Sequence, residues 1–93
     1  MTASRFSQRP GVLQRVVGEE ILVTTARSTE ISSLSGSAAL QWRMLDEPRT
    51  LDEIVSGLAG VYGVASRAIR SDVEALLDEL LRRDLAQEGI DDD

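Results

Sequence analysis

The chain has 93 residues, the length of a single domain, with a net charge of −6 and a pI near 4.5. It contains no Cys, no His and no Lys, so all ten basic side chains are Arg. That composition excludes zinc fingers, iron–sulfur clusters, the usual haem ligation and a disulfide framework. It also removes the Cys nucleophile, the His base and the Lys of a Schiff base or P-loop.

A catalyst would have to work with carboxylates, Ser, Thr, Arg and one Tyr, so composition points away from a stand-alone enzyme. The acidic balance is the reverse of the basic footprint that phosphate contact demands. A hydrophobic content of 42% is ordinary for a folded domain. No apolar run approaches the ~20 residues of a membrane helix and no secretory apolar region opens the chain, so a soluble cytoplasmic protein is expected. A core this small makes association with a partner a natural route to stability.

Residues 1–10 (MTASRFSQRP) are polar and unpatterned and read as a flexible arm. Val12–Val17 and Glu20–Thr25 are rich in β-branched residues, and Gly18-Glu19 between them fits a type II′ hairpin. Ile21, Val23 and Thr25 share one face of the second strand, Leu22 and Thr24 the other. A polar turn then leads to residues 29–34 (TEISSL), a third strand whose polarity suits an open edge.

Helical periodicity begins after Leu34. Ala38, Trp42 and Leu45 lie on one face of a first helix running to about Asp46, with Ser35 or Ser37 as its cap. Pro48 stops it. Thr50 and Glu53 form a capping box for a second helix, whose stripe is Leu51, Ile54, Val55, Leu58, Ala59 and Tyr62 and whose end is Gly63. The third helix starts near Ser66 with an apolar stripe of Ile69, Val73, Leu76, Leu77, Leu80 and Leu81. Asp78–Arg82 and Glu79–Arg83 are favourable pairs on its other side. Leu85 then turns back toward the core. The expected architecture is α+β: a three-stranded antiparallel sheet followed by three helices, β-β-β-α-α-α. Residues 11–88 form the domain and 89–93 a solvated acidic tail.

The carboxylates crowding the last helix lack the spacing of a calcium loop or a Glu-x-x-His pair, and interspersed Arg residues favour surface ion pairing, so no metal site is expected. The serines of residues 32–37 have no nucleophile elbow and no base, which leaves them to turns and caps. Trp42 and Tyr62 lie on apolar stripes, where a lone aromatic is usually core. Three strands and three helices also fit a winged-helix DNA-binding regulator. Its groove-reading helix would present Arg67 and Arg70, but also Asp72, Glu74, Asp78 and Glu79, which repel phosphate with no basic stripe to compensate. An open edge strand can accept an extended peptide as a further strand. From pattern alone, that use and an edge merely kept harmless by Glu30 and the serines are equally compatible.

The order of residues also carries a resemblance. Leu34-Ser35-Gly36-Ser37-Ala38 through Trp42-Arg43-Met44-Leu45-Asp46 is similar to the stretch L-N/S-x-T-A/G … W-x-L-L of the PqqD family, named for pyrroloquinoline quinone synthesis protein D and also called the RiPP recognition element. Arg49-Thr50-Leu51-Asp52-Glu53-Ile54, Leu58, Tyr62-Gly63-Val64, Asp72-Val73, Leu77, Leu80 and Asp84-Leu85 continue the likeness over residues 11–88. The resemblance implies a small winged-helix-like domain without catalytic activity or cofactor. It implies binding of the leader of a ribosomally made precursor peptide and its delivery to a modifying enzyme, such as a radical-SAM enzyme or cyclodehydratase, or to a leader peptidase of the kind found in lasso-peptide pathways.

In that family the leader pairs as a strand beside the third strand and packs against the third helix. Carried over, the docking strand is Thr29, Glu30, Ile31, Ser32, Ser33 and Leu34, and the helical wall is drawn from Arg70, Val73, Glu74 and Leu77. Leu34, Trp42, Ile54, Leu58 and Leu80 match core positions. The chain departs from the family at Gln41, commonly aliphatic, at Ser35, commonly Asn, at Asp84, commonly Gly, and in the polarity of Ser32 and Ser33.

Overall fold

The computed structural model describes residues 3–91. Its elements run β1 (Ala3–Gln8), β2 (Val12–Val17), β3 (Glu20–Thr25), β4 (Ser32–Leu34), α1 (Gly36–Met44), α2 (Leu51–Tyr62), α3 (Ser66–Arg82) and β5 (Ala86–Asp91). A three-stranded antiparallel sheet, ordered β2-β3-β4, precedes the three helices as the sequence implies. Gly18 turns β2 into β3 with φ of 62°, while Glu19 keeps a negative φ. Positive φ at the first turn position alone is the type II′ pattern, and it sets Val17 opposite Glu20.

β3 is the central strand, and its alternation decides what the sheet buries. Ile21 and Val23 are each 1% exposed and pack on the helices; Leu22 and Thr24 face outward. α1 contributes Trp42 and Ala39, and Leu45 follows at its end; Trp42 and Leu45 are fully buried. Ile54, Val55 and Leu58 of α2 and Val73, Leu77 and Leu80 of α3 complete the core with Leu34 and Leu85. The Trp42 indole Nε1 donates to Gln14 Oε1 at 3.0 Å, so the buried ring keeps its polar atom satisfied.

The helix boundaries follow local chemistry. The Thr50 hydroxyl accepts from the Glu53 N–H at 3.1 Å while the Glu53 carboxylate accepts from the Thr50 N–H at 2.8 Å, the expected capping box. Gly63, with φ of 65°, ends α2, and Val64 N donates to Ala59 O across it. α1 starts after Ser35, whose backbone is extended but whose hydroxyl makes no capping bond, and it stops two residues short of Asp46.

Three expectations need correction. Residues 3–8 are no loose arm: β1 pairs antiparallel with β5 from Ala3↔Asp91 to Gln8↔Ala86, and Phe6 exchanges two backbone hydrogen bonds with Arg49. Phe6 packs on the core, and Gln8 Nε2 donates to Trp42 O at 3.0 Å. The expected tail is likewise a strand through Asp91; Asp92 and Asp93, like Met1 and Thr2, lie outside the described residues. One apolar residue in a polar strand gives no period for a sequence reading to detect, and the pairing joins segments about eighty residues apart. The third strand is also shorter than expected. Residues 29–31 belong to the connection, held by Thr24 Oγ1 and Ser28 Oγ donating to Glu30 O and by Glu30 N donating to Ser28 Oγ.

Candidate functional site

β4 borders β3 on one side only, and no described strand lies on the other. Its main-chain groups along that outer edge are free to pair, as are those on the outer edge of β2 at the other side of the sheet. The inner face of β4 presents Ser32 and Leu34, opposite Val23 and Ile21; Ser33 points the other way.

α3 lies beside this edge, and Arg83 at its end fixes how. Arg83 Nη1 donates to Ser32 Oγ at 2.7 Å and stands 3.7 Å from Glu30 Oε2, while its Nε donates to Glu79 Oε1 at 2.7 Å. The helical face that ends at Arg83 carries Ile69, Asp72, Leu76 and Glu79 at three- and four-residue steps; its Ile69–Leu76 part lies opposite α1, and its Arg83 end reaches β4. Glu79 also holds Arg82, so it binds two guanidinium groups. Its carboxyl lies below the ordinary value of 4.5, first through the Arg83 hydrogen bond and then through the Arg82 charge. Asp78 makes no ion pair with Arg82 among the described residues; the i, i+3 neighbour takes that role.

A groove of about 210 Å³ opens where β4 gives way to α1. Ser37, Ala38 and Gln41 of α1 form one wall and Ile69, Asp72 and Leu76 of α3 the other, with Tyr62 at the side. Its floor is apolar, from Leu58 and Val73. Gln41 is 3% exposed and donates from Nε2 to Val73 O at 3.0 Å.

The residues named from sequence separate into three groups. Ser32, Ser33 and Leu34 form the edge strand, while Thr29, Glu30 and Ile31 sit in the loop that enters it. Val73 and Leu77, each 3% exposed, belong to the core beneath the cleft. Arg70 is ion-paired with Asp52 of α2, which raises its pKa, and Glu74 lies near it on that flank. Those two side chains do not face β4. The amphipathic stripe is visible in sequence, but which of its flanks meets the sheet depends on packing of α3 against α2. Ile69, Asp72, Leu76 and Arg83 were missed for that reason.

The site holds no group of three or more metal-ligating side chains among the described residues. No described helix is long and apolar enough to cross a membrane. Arg70 and Arg82 of α3, and Arg83 just after it, are engaged by carboxylates, and the exposed Arg67 shares the helix with exposed Asp72, Glu74 and Asp78, so nothing favours contact with DNA.

The family model for coenzyme PQQ synthesis protein D (PqqD) matches residues 20–86, well over half of the chain. The chain belongs to the PqqD family. The matched segment of this PqqD-family chain runs from the first residue of β3 to the first of β5, and so contains the open edge, the groove and all three helices. Among solved structures, TbiB1 in complex with the TbiA(beta) leader peptide is similar, with a TM-score of 0.78 and 18% identity over 87% of this chain and 94% of that one. At that identity the likeness shows a shared fold. No curated protein matches the sequence.

Proposed function

We propose that this PqqD-family chain is a non-catalytic adaptor. It binds the leader of a ribosomally synthesised precursor peptide as an added strand on β4 and presents it to a modifying enzyme or leader peptidase in the cytoplasm. The observation that carries this reading is the unpaired outer edge of β4, tied to the end of α3 through Arg83 and followed in the chain by α1, which with α3 walls an apolar groove. Main-chain pairing supplies affinity in such an arrangement, and side-chain pockets supply selectivity. Membership of the family and the leader peptide bound by the similarly folded TbiB1 support the same reading.

Proline substitution tests it. Consecutive strand residues direct their N–H groups to opposite edges, so of Ser32→Pro and Ser33→Pro one removes an outward donor and the other a bond to β3. The outward variant is expected to stay folded and to lose leader affinity in a calorimetric titration with the leader encoded beside this chain. Unchanged affinity in that folded variant would exclude strand addition at β4. If the wild type binds no such leader and modification proceeds without it, the adaptor reading fails altogether.

A further inference from the structure

We infer that the groove between α1 and α3 selects peptides carrying a basic side chain, Arg or Lys, at the position that enters it; this rests on the adaptor reading above. Gln41 begins the argument. Its Nε2 must face the Val73 carbonyl, because that oxygen can only accept, and this orientation fixes where Oε1 points. Oε1 accepts no hydrogen bond from the described residues. Because no fully buried side-chain oxygen or nitrogen among them lacks a partner, Oε1 must reach the groove surface. An amide held within the fold (3% exposed) with an unanswered acceptor is a place where a ligand donor is gained at little cost.

Asp72 supplies charge on the facing wall. It lines the groove and has no ion-pair partner among the described residues. Tyr62 lies at the side of the groove, and an aromatic ring attracts a cation. Opposed to these is the N-terminus of α1 at Gly36 and Ser37, whose dipole amounts to roughly half an elementary charge against the full charge of Asp72. A neutral donor would answer Gln41 and leave the carboxylate without a counter-charge; a guanidinium or ammonium answers both.

Size and lining agree with such a guest. The volume of about 210 Å³ falls below the ~300 Å³ at which small-molecule sites begin, and suits one long side chain. Ala38, Leu58, Ile69 and Leu76 offer apolar surface to its methylene stem.

Selection from a library of short random-sequence peptides on the immobilised full chain tests this and requires no identified leader. Enriched peptides are expected to carry Arg or Lys at one fixed position. Replacing that residue by Met should weaken binding roughly tenfold, the scale of one charge-assisted hydrogen bond. With Asp72→Asn, an exposed change, or Gln41→Leu, checked for native circular dichroism, the basic residue should no longer matter while the peptides still bind. Peptides that depend on the β4 edge yet show no basic preference, or the same preference with Asp72→Asn, overturn the inference and leave the adaptor reading intact. No enrichment, or binders indifferent to proline in β4, overturns both.

Discussion

Asp84 shows how one backbone angle can be retained at a cost. It follows α3 with φ of 59°, the left-handed region that glycine enters freely and other residues do not. The conformation is imposed by its neighbours: Leu85 N donates to Leu80 O and Asp84 N to Leu81 O, the paired bonds that close a helix and turn Leu85 into the core. The Asp84 carboxylate stands 3.7 Å from Arg9, but both side chains are more than half exposed, so that pair adds little. Asp84→Gly is therefore expected to stabilise the fold by about 0.5–1 kcal/mol, read as a higher urea midpoint at unchanged slope. A lower midpoint would mean that the Arg9 contact outweighs the strained angle.

Among the elements, α2 has the most complete local code. Thr50→Ala removes the hydroxyl that accepts from Glu53 N and should cost about 1 kcal/mol of stability at neutral pH. Glu53 contributes a pH dependence of definite sign. The Thr50 backbone N–H, first, and the Arg5 and Arg49 charges hold its carboxyl below the ordinary 4.5. A carboxyl depressed on folding gives stability that is present above the unfolded value and is lost as pH falls through the folded one. The difference in stability between the native chain and Glu53→Gln should thus be constant above about pH 5 and shrink below 4.5, in thermal melts across that range. A difference that grows on acidification would contradict this assignment.

The same elements explain what the sequence reveals. α2 and α3 were legible because capping residues and apolar stripes act within a few residues of one another. The β2–β3 hairpin was legible because Gly18 fixes its turn. β4 is shorter than its sequence pattern implies, because Thr24 and Ser28 hold Glu30 and with it residues 29–31 as a loop. At the site, the edge strand was legible and its helical wall only in part. The family resemblance implies Arg70 and Glu74 in that wall, yet Asp52 of the neighbouring helix draws Arg70 to the far flank. Periodicity identifies the buried stripe of a helix, but the neighbours on its two sides are set by tertiary packing.

For the molecule as a whole, the pairing of β1 with β5 changes how the core is closed. Phe6 covers it, Gln8 N donates to Leu45 O, and Arg9 N donates to Leu85 O. These contacts bind the loop before α2 and the exit from α3 to one strand. Deleting residues 1–8 should lower stability by about 2 kcal/mol or more, which for a domain of this size corresponds to a fall in Tm on the order of 10 °C. A dispensable arm would leave Tm unchanged. The cost would fall on the fold and not on the β4 edge, which β3 and α3 build without β1.

The register of that small sheet has a geometric corollary. Because Ala3 stands directly across from Asp91, the polypeptide enters and leaves the domain at neighbouring points. The path is topologically almost a ring, closed by a ladder of main-chain bonds in place of a covalent one. A short linker between the two ends would complete the circle, and a new opening in the exposed Gly18-Glu19 turn would produce a permuted chain with the same neighbours throughout.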